Sequence, residues 1–143
     1  MDQTIFIRKA TQEDLYGILA LANQLSDTVT VSEQYLASHF TNFIDNEQHC
    51  LLVAVKNETV IGYISGYFHH AIYASGLVAY VDEIVVDTSY RSMQVGSILM
   101  THFEQASKKN DCVIVSLATF GAKEFYEKLG YQSKAGYFKK YLN

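Results

Sequence analysis

Two stretches carry the residues best suited to chemistry. The first is "VVDTSYRSMQVGSILM", Val85 to Met100. Here an apolar run gives way to a short polar turn, and a helical pattern starts at a lone glycine, Gly96. A turn into a helix leaves the first backbone N–H groups without intrahelical partners, and the helix dipole favours negative charge there. Such a place suits a phosphate. Arg91 adds a mobile positive charge, Ser92 and Ser97 add hydroxyls, and Gly96 lets backbone approach a ligand closely. Taken alone, the turn reads equally well as a plain connection. The second stretch holds adjacent carboxylates, Asp82 and Glu83, inside an apolar run. Carboxylates in such a run are costly unless solvated or paired, and strand alternation sends neighbours to opposite faces. Both also read as structural carboxylates that cap or pair with lysine. Tyr126 can donate a proton, but Ala122, Phe125, Tyr126 and Leu129 form an apolar stripe, and on that pattern it is core.

The elements that must position these residues follow from periodicity. Residues 4–8, "TIFIR", read as a first strand. Thr11 with Asp14 matches a capping box ahead of Leu15, Ile18, Leu19, Ala22 and Leu25, which repeat at helical spacing. A second helix is expected after Ser32, with Leu36, Phe40, Phe43 and Ile44 on one stripe. "CLLVAVK" and "TVIGYISGYFH" are second and third strands joined by a short turn at Asn57-Glu58, hence an antiparallel hairpin. Gly62 and Gly66 within it point to bulges or close packing. Residues 76–87 form a fourth strand, and a helix runs from Gly96 to about Lys109. "CVIVSLA" reads as a buried fifth strand, and "GAKEFYEKLG" as a short helix closed by Gly130. The tail, "YQSKAGYFKKYL", divides at Gly136 into sixth and seventh strands. A crossover helix between strands 4 and 5 makes them parallel. The fold class is therefore α/β (α+β): one domain over residues 1–143, a mixed sheet of about seven strands, and helices on both faces.

The 143 residues are the size of one domain, and 49% hydrophobic content needs no staples. A formal charge of −4 argues against general affinity for nucleic acid or anionic membranes. No apolar run approaches the ~20 residues of a membrane span, and "MDQTIFIRKA" lacks the apolar core of a signal peptide. Cys50 and Cys112 have no CxxC partner and read as buried reduced thiols, which places the chain in the cytoplasm. Histidines are scattered except His69-His70, whose strand neighbours diverge, so no metal site is expected.

"VDEIVVDTSYRSMQVGSILM" followed by "FGAKEFYEKLGYQ" resembles the GCN5-related N-acetyltransferase (GNAT) family, and the order of elements fits from about residue 4 to 141. The family's Q/R-x-x-G-x-G/A motif aligns with Arg91 to Gly96, and its second motif with Ala122 to Tyr131. Gln94 stands where the family has its first motif glycine, and Thr119 where many members carry asparagine.

The resemblance implies an acetyl-CoA-dependent N-acetyltransferase that moves the acetyl group to a primary amine by direct attack in a ternary complex. It implies that strands 4 and 5 splay around acetyl-CoA. The pantetheine arm pairs with the backbone of Val85 and Val86, and the pyrophosphate lies on the N–H groups of Val95, Gly96 and Ser97. Arg91 and Gln94 border the phosphates, and Thr119 lies near the cofactor. It makes Tyr126 the donor to the departing thiolate. An amine of pKa ~10.4 needs a base at neutral pH; Glu83 is the first candidate and Asp82 the second. The acceptor is a small-molecule or peptide amine, with Tyr35, His39, Tyr67, His69, Tyr73 and Tyr137 as candidate lining residues. A homodimer is common among such proteins. The alternative is a catalytically silent module of the same fold that senses CoA or a metabolite; transfer of a longer acyl group is a third reading.

Overall fold

The computed structural model describes residues 4–25 and 30–142. The first three residues of the stretch read for a leader lie outside that range. Five strands form one sheet in the order β1-β2-β3-β4-β5, with β1 Phe6–Lys9, β2 His49–Lys56, β3 Thr59–Ala71, β4 Gly76–Val86 and β5 Cys112–Leu117. All neighbours are antiparallel except β4 and β5, which are parallel, as the crossover helix requires.

β2 shows how the sheet divides the core. Cys50, Leu52 and Ala54 face one side, while Leu51, Val53 and Val55 face the other. Strand side chains alternate with a period of two, and helices cover both sides, so the run is apolar at every position. The first side is covered by helix α4, Val95–Lys109, through Val95, Leu99, Met100 and Phe103. The short helix α5, Lys123–Lys128, packs there too through Phe125 and Tyr126. The second side is covered by α1, Leu15–Ala22, whose Leu15, Ile18 and Leu21 are buried. Two further short helices join it, α2, Glu33–His39, and α3, Thr41–Ile44.

The capping box forms: the N–H of Thr11 donates to Asp14 at 2.8 Å. The helix start is also tied to β1, because Arg8 grips both oxygens of Asp14 at 2.8 and 3.0 Å. The β2–β3 hairpin is as expected, and both turn residues, Asn57 (φ 50) and Glu58 (φ 62), adopt the left-handed conformation of a type I′ turn. Gly66 is required by close packing. A Cβ there would lie 2.4 Å from the carbonyl oxygen of Tyr80 and 2.7 Å from the Phe103 ring.

Three expectations need correction. The sheet has five strands and not about seven, since residues 131–142 contribute no strand. Consequently β5 is an edge strand with Val113 59% exposed, and Cys112 is half-buried. An apolar run shows that a strand wants cover, while the cover itself must come from a ladder partner elsewhere in the chain. Finally, the second helix divides into α2 and α3 at Phe40, whose ring is buried beneath the junction.

Candidate active site

The turn after β4 begins as a 3-10 segment, Thr88–Met93, held at its start by the Asp87 carboxylate, which accepts from the N–H of Ser89 at 3.1 Å. Gln94 then takes a left-handed conformation, φ 61 and ψ 23, and α4 starts at Val95. A residue with a Cβ has thus adopted the conformation that glycine takes most easily. Its side chain is exposed. Ile98 is the first α4 residue whose N–H returns into the turn, to the carbonyl of Gln94 at 3.1 Å. The N–H groups of Val95, Gly96 and Ser97 have no backbone partner outside the helix among the described residues, as expected of a first helical turn. Arg91 is exposed and folds back so that its Nε donates to the carbonyl of Val86 at 3.3 Å, leaving its terminal nitrogens beside the turn.

Next to this turn β4 runs on beyond its parallel neighbour. Pairing between β4 and β5 runs from Leu77 with Cys112 to Val81 with Leu117 and stops there. β4 continues through Glu83, Ile84, Val85 and Val86, paired only with β3. Pairing thus lasts to the final residue of β5, Leu117, and from Asp82 onward β4 has no neighbour on that side among the described residues. Thr119 lies just beyond β5, where its hydroxyl accepts from the N–H of Ala122 at 3.2 Å and so shapes the entry to α5.

The carboxylates sit just past the end of that pairing. Ser65 faces Glu83 and Gly66 faces Val81, which leaves Asp82 as the extra residue of a β-bulge. The bulge interrupts the alternation on which opposite-facing carboxylates were expected, and the two charges remain within reach of each other. Loss of hydration, reinforced by the charge of Glu83, pushes the Asp82 carboxyl up to about 6, although solvent still reaches the residue. Glu83 accepts from the hydroxyl of buried Tyr63 at 2.5 Å. Burial, then the neighbouring Glu83, holds the Tyr63 phenol well above its usual range, so Tyr63 stays a donor.

Glu83, Tyr63 and Ser65 form the polar end of a cleft of about 100 Å³ between the sheet and α1–α3. The other walls are apolar and include Ile18, Leu36, Phe40 and Phe43. Ser65 also bonds His49 Nε2 at 2.9 Å, and burial lowers the His49 pKa. Tyr126 belongs to the opposite side of the sheet. It is 7% exposed, edge-on to Phe125 and Tyr131 with centroids 4.9 and 5.9 Å apart. Burial raises its pKa, and its hydroxyl shows no hydrogen bond to the described residues while not being sealed from solvent. Glu83 and Tyr126 thus lie on different faces of the sheet.

None of the six aromatic residues expected at the acceptor side lines this cleft. Tyr35 and His39 stack at 4.1 Å on α2 beside a separate shallow hollow. Tyr67 packs against His69 and Tyr80, Tyr73 is exposed, and Tyr137 lies against Phe120. Three contributors had escaped the sequence reading. Tyr63 and Ser65 read only as strand residues, because their partners are 20 and 16 positions away. Lys56 is buried under the 3-10 segment, its ammonium 5.4 Å from the Tyr90 ring centroid and 4.0 Å from the Met93 sulfur.

Comparison with known proteins adds the following. Residues 13–131 match the acetyltransferase (GNAT) family. The chain is 26% identical over 140 residues to the aminoalkylphosphonate N-acetyltransferase of Salmonella typhimurium, covering 95% of this chain and 90% of that one. It is 28% identical to the thialysine N-epsilon-acetyltransferase of Bos taurus, covering 90% of this chain and 84% of that protein. Among solved structures, glucosamine-6-phosphate N-acetyltransferase from Arabidopsis thaliana superposes with a TM-score of 0.86 at 24% identity, covering 99% and 100% of the two chains. AAC(6')-Iy in complex with the bisubstrate analog CoA-S-monomethyl-acetylneamine superposes with a TM-score of 0.81 at 17% identity, covering 97% and 99%.

Proposed function

This chain belongs to the acetyltransferase (GNAT) family, and from that premise we propose that it acetylates a small-molecule primary amine, with acetyl-CoA as co-substrate. The observation that carries this reading is the end of β4–β5 pairing at Val81 and Leu117, next to a helix start whose first N–H groups have no backbone partner outside the helix among the described residues. Those features fit a diphosphate and its extended arm. The N–H groups of Val95, Gly96 and Ser97 would hold the phosphates, with Arg91 beside them. The left-handed Gln94 keeps the backbone in the required turn. Backbone of Val85 and Val86 borders the unpaired side of β4, and Thr119 lies just beyond β5. Bound there, acetyl-CoA supplies an activated acyl group as a thioester.

The protein's own residues manage the protons. An alkylammonium of pKa ~10.4 is almost fully charged at neutral pH and must lose a proton to attack. Glu83 lines the acceptor cleft, and the Tyr63 hydroxyl fixes its carboxylate. Glu83 is accordingly the base in this proposal. Asp82, raised to about 6, is a second acceptor poised near neutrality. Tyr126 stays protonated and has a free hydroxyl, which suits the donor to the leaving sulfur.

The acceptor is a small amine because two relatives by sequence are N-acetyltransferases named for small amines and because the cleft is small, about 100 Å³. The homodimer expected from the sequence belongs to this proposal, with β5 as a free sheet edge available for it. Among the described residues no helix is long and apolar enough to cross a membrane, and a place in the cytoplasm remains part of the proposal.

The test is a thermal melt with and without acetyl-CoA, followed by thiol release on an amine panel. A ligand bound only by the native state raises the melting temperature. A rise together with amine-dependent thiol release supports the enzyme. A rise with no release on any amine would favour the silent sensor, and no rise at millimolar ligand would remove the cofactor site.

A further inference from the structure

The charge pattern of the acceptor cleft bears on what enters it. Resting on the acyl-transfer reading above, we infer that the acceptor is a compact primary amine with an uncharged apolar body, and that amines carrying a carboxylate or phosphonate next to the nitrogen are excluded. Among the described residues lining the cleft, the one charged group is Glu83, which is negative. No lysine or arginine lines it. The nearby arginine of β1, Arg8, is committed to both oxygens of Asp14. His49 lies behind Ser65, bonded to it at 2.9 Å, and its burial favours the neutral ring.

An ammonium entering the cleft meets a carboxylate held ready by Tyr63. Its carbon body replaces water against Ile18, Leu36, Phe40 and Phe43, which is favourable in proportion to the apolar area covered. An anionic substituent meets the opposite conditions. It loses hydration with no cation to replace it, beside a like charge. Size narrows the class further. The cleft is small, about 100 Å³ against the ~150 Å³ cavity known to admit benzene, and open on one side, so a compact alkyl body is favoured over a bulky one.

The experiment uses the full chain and three amines that share one carbon skeleton: 3-methylbutylamine, leucine, and the phosphonate that replaces leucine's carboxylate. Binding is read by calorimetry with and without CoA, and turnover by thiol release with acetyl-CoA. The expected result is that 3-methylbutylamine binds at least about tenfold more tightly than either anionic amine and is the best substrate of the three. Equal or tighter binding of an anionic amine overturns the inference, as does failure of all three to bind. If 3-methylbutylamine binds as expected and none of the three releases thiol, acyl transfer fails while the selectivity of the cleft stands. Leu36→Arg places a cation at the cleft wall and should move the binding ratio toward leucine by about tenfold, since specificity is a difference of affinities. A ratio unchanged in a variant that melts normally would also count against the inference. The wild-type comparison decides the matter if that variant does not fold.

Discussion

Replacing Gln94 by glycine should stabilise the protein, against the usual direction for a mutation to glycine. Gln94 has φ 61 and ψ 23, the left-handed region. For a residue with a Cβ that conformation costs roughly 1–2 kcal/mol. Glycine avoids this cost but loses more freedom on folding, about 0.5–1 kcal/mol relative to alanine. The Gln94 side chain is exposed and makes no cap hydrogen bond, so little else is lost. The net gain is about 0.5–1 kcal/mol, or roughly 1–4 °C in melting temperature for a chain of this length. Gln94→Ala is the control. It removes the same side-chain atoms beyond Cβ but keeps the strain, and should leave the melting temperature within about 1 °C of wild type. Differential scanning calorimetry of the three proteins without ligand measures all of this. The reasoning is refuted if Gln94→Gly melts at or below Gln94→Ala. The same titration with CoA should show the glycine variant binding at least as tightly as wild type, because the backbone turn is preserved and the approach to it is widened.

Tyr126→Phe should lower kcat by about a hundredfold, the lower end of what a positioned acid contributes, while CoA affinity measured by calorimetry stays within twofold; unchanged turnover would return Tyr126 to a packing role. Gly66→Ala drives a Cβ to within 2.4 Å of the Tyr80 carbonyl and should destabilise by about 3 kcal/mol, read from urea melts. Asp82→Asn tests the raised carboxyl. A folded-state pKa of about 6 against an ordinary 3.8 means that the native state binds the extra proton between those values, so stability falls as pH rises from about 4 to 6. Asp82→Asn should remove that slope and, after screening at this solvent-exposed site, gain less than about 1 kcal/mol at pH 7. Melting temperatures at pH 4 and pH 7 check it, and an unaltered slope would mean that Asp82 does not titrate in this window.

Local patterns in the chain were sufficient for several features. The Asn57-Glu58 turn between two apolar runs declares a hairpin, because side-chain period and turn chemistry are properties of neighbouring residues. The Thr11–Asp14 cap and the glycine at position 66 are legible for the same reason, the glycine because only the absence of a side chain tolerates such an approach. The strand-to-helix turn between Val85 and Ser97 is legible as well, although the helix starts at Val95 and not at Gly96, and the "FYEKLG" run gave the family resemblance its specificity.

Other features depend on residues far apart in sequence. Asp82 is the extra residue of a bulge because Ser65 and Gly66 pair around it, and no local rule shows where a ladder slips. Glu83 acquires its partner from Tyr63 and its apolar setting from three helices. The exposed edge of β5 follows from a tail that contributes no strand among the described residues. The aromatic residues expected to line the cleft lie elsewhere because composition counts tyrosines without directing them. The sequence by itself determined where strands, turns and helix ends fall, since these depend on side-chain period and backbone preference within a few residues. Only the tertiary structure decided where strand pairing ends and slips and which charge faces which wall, because those depend on how distant segments compete for the same partners.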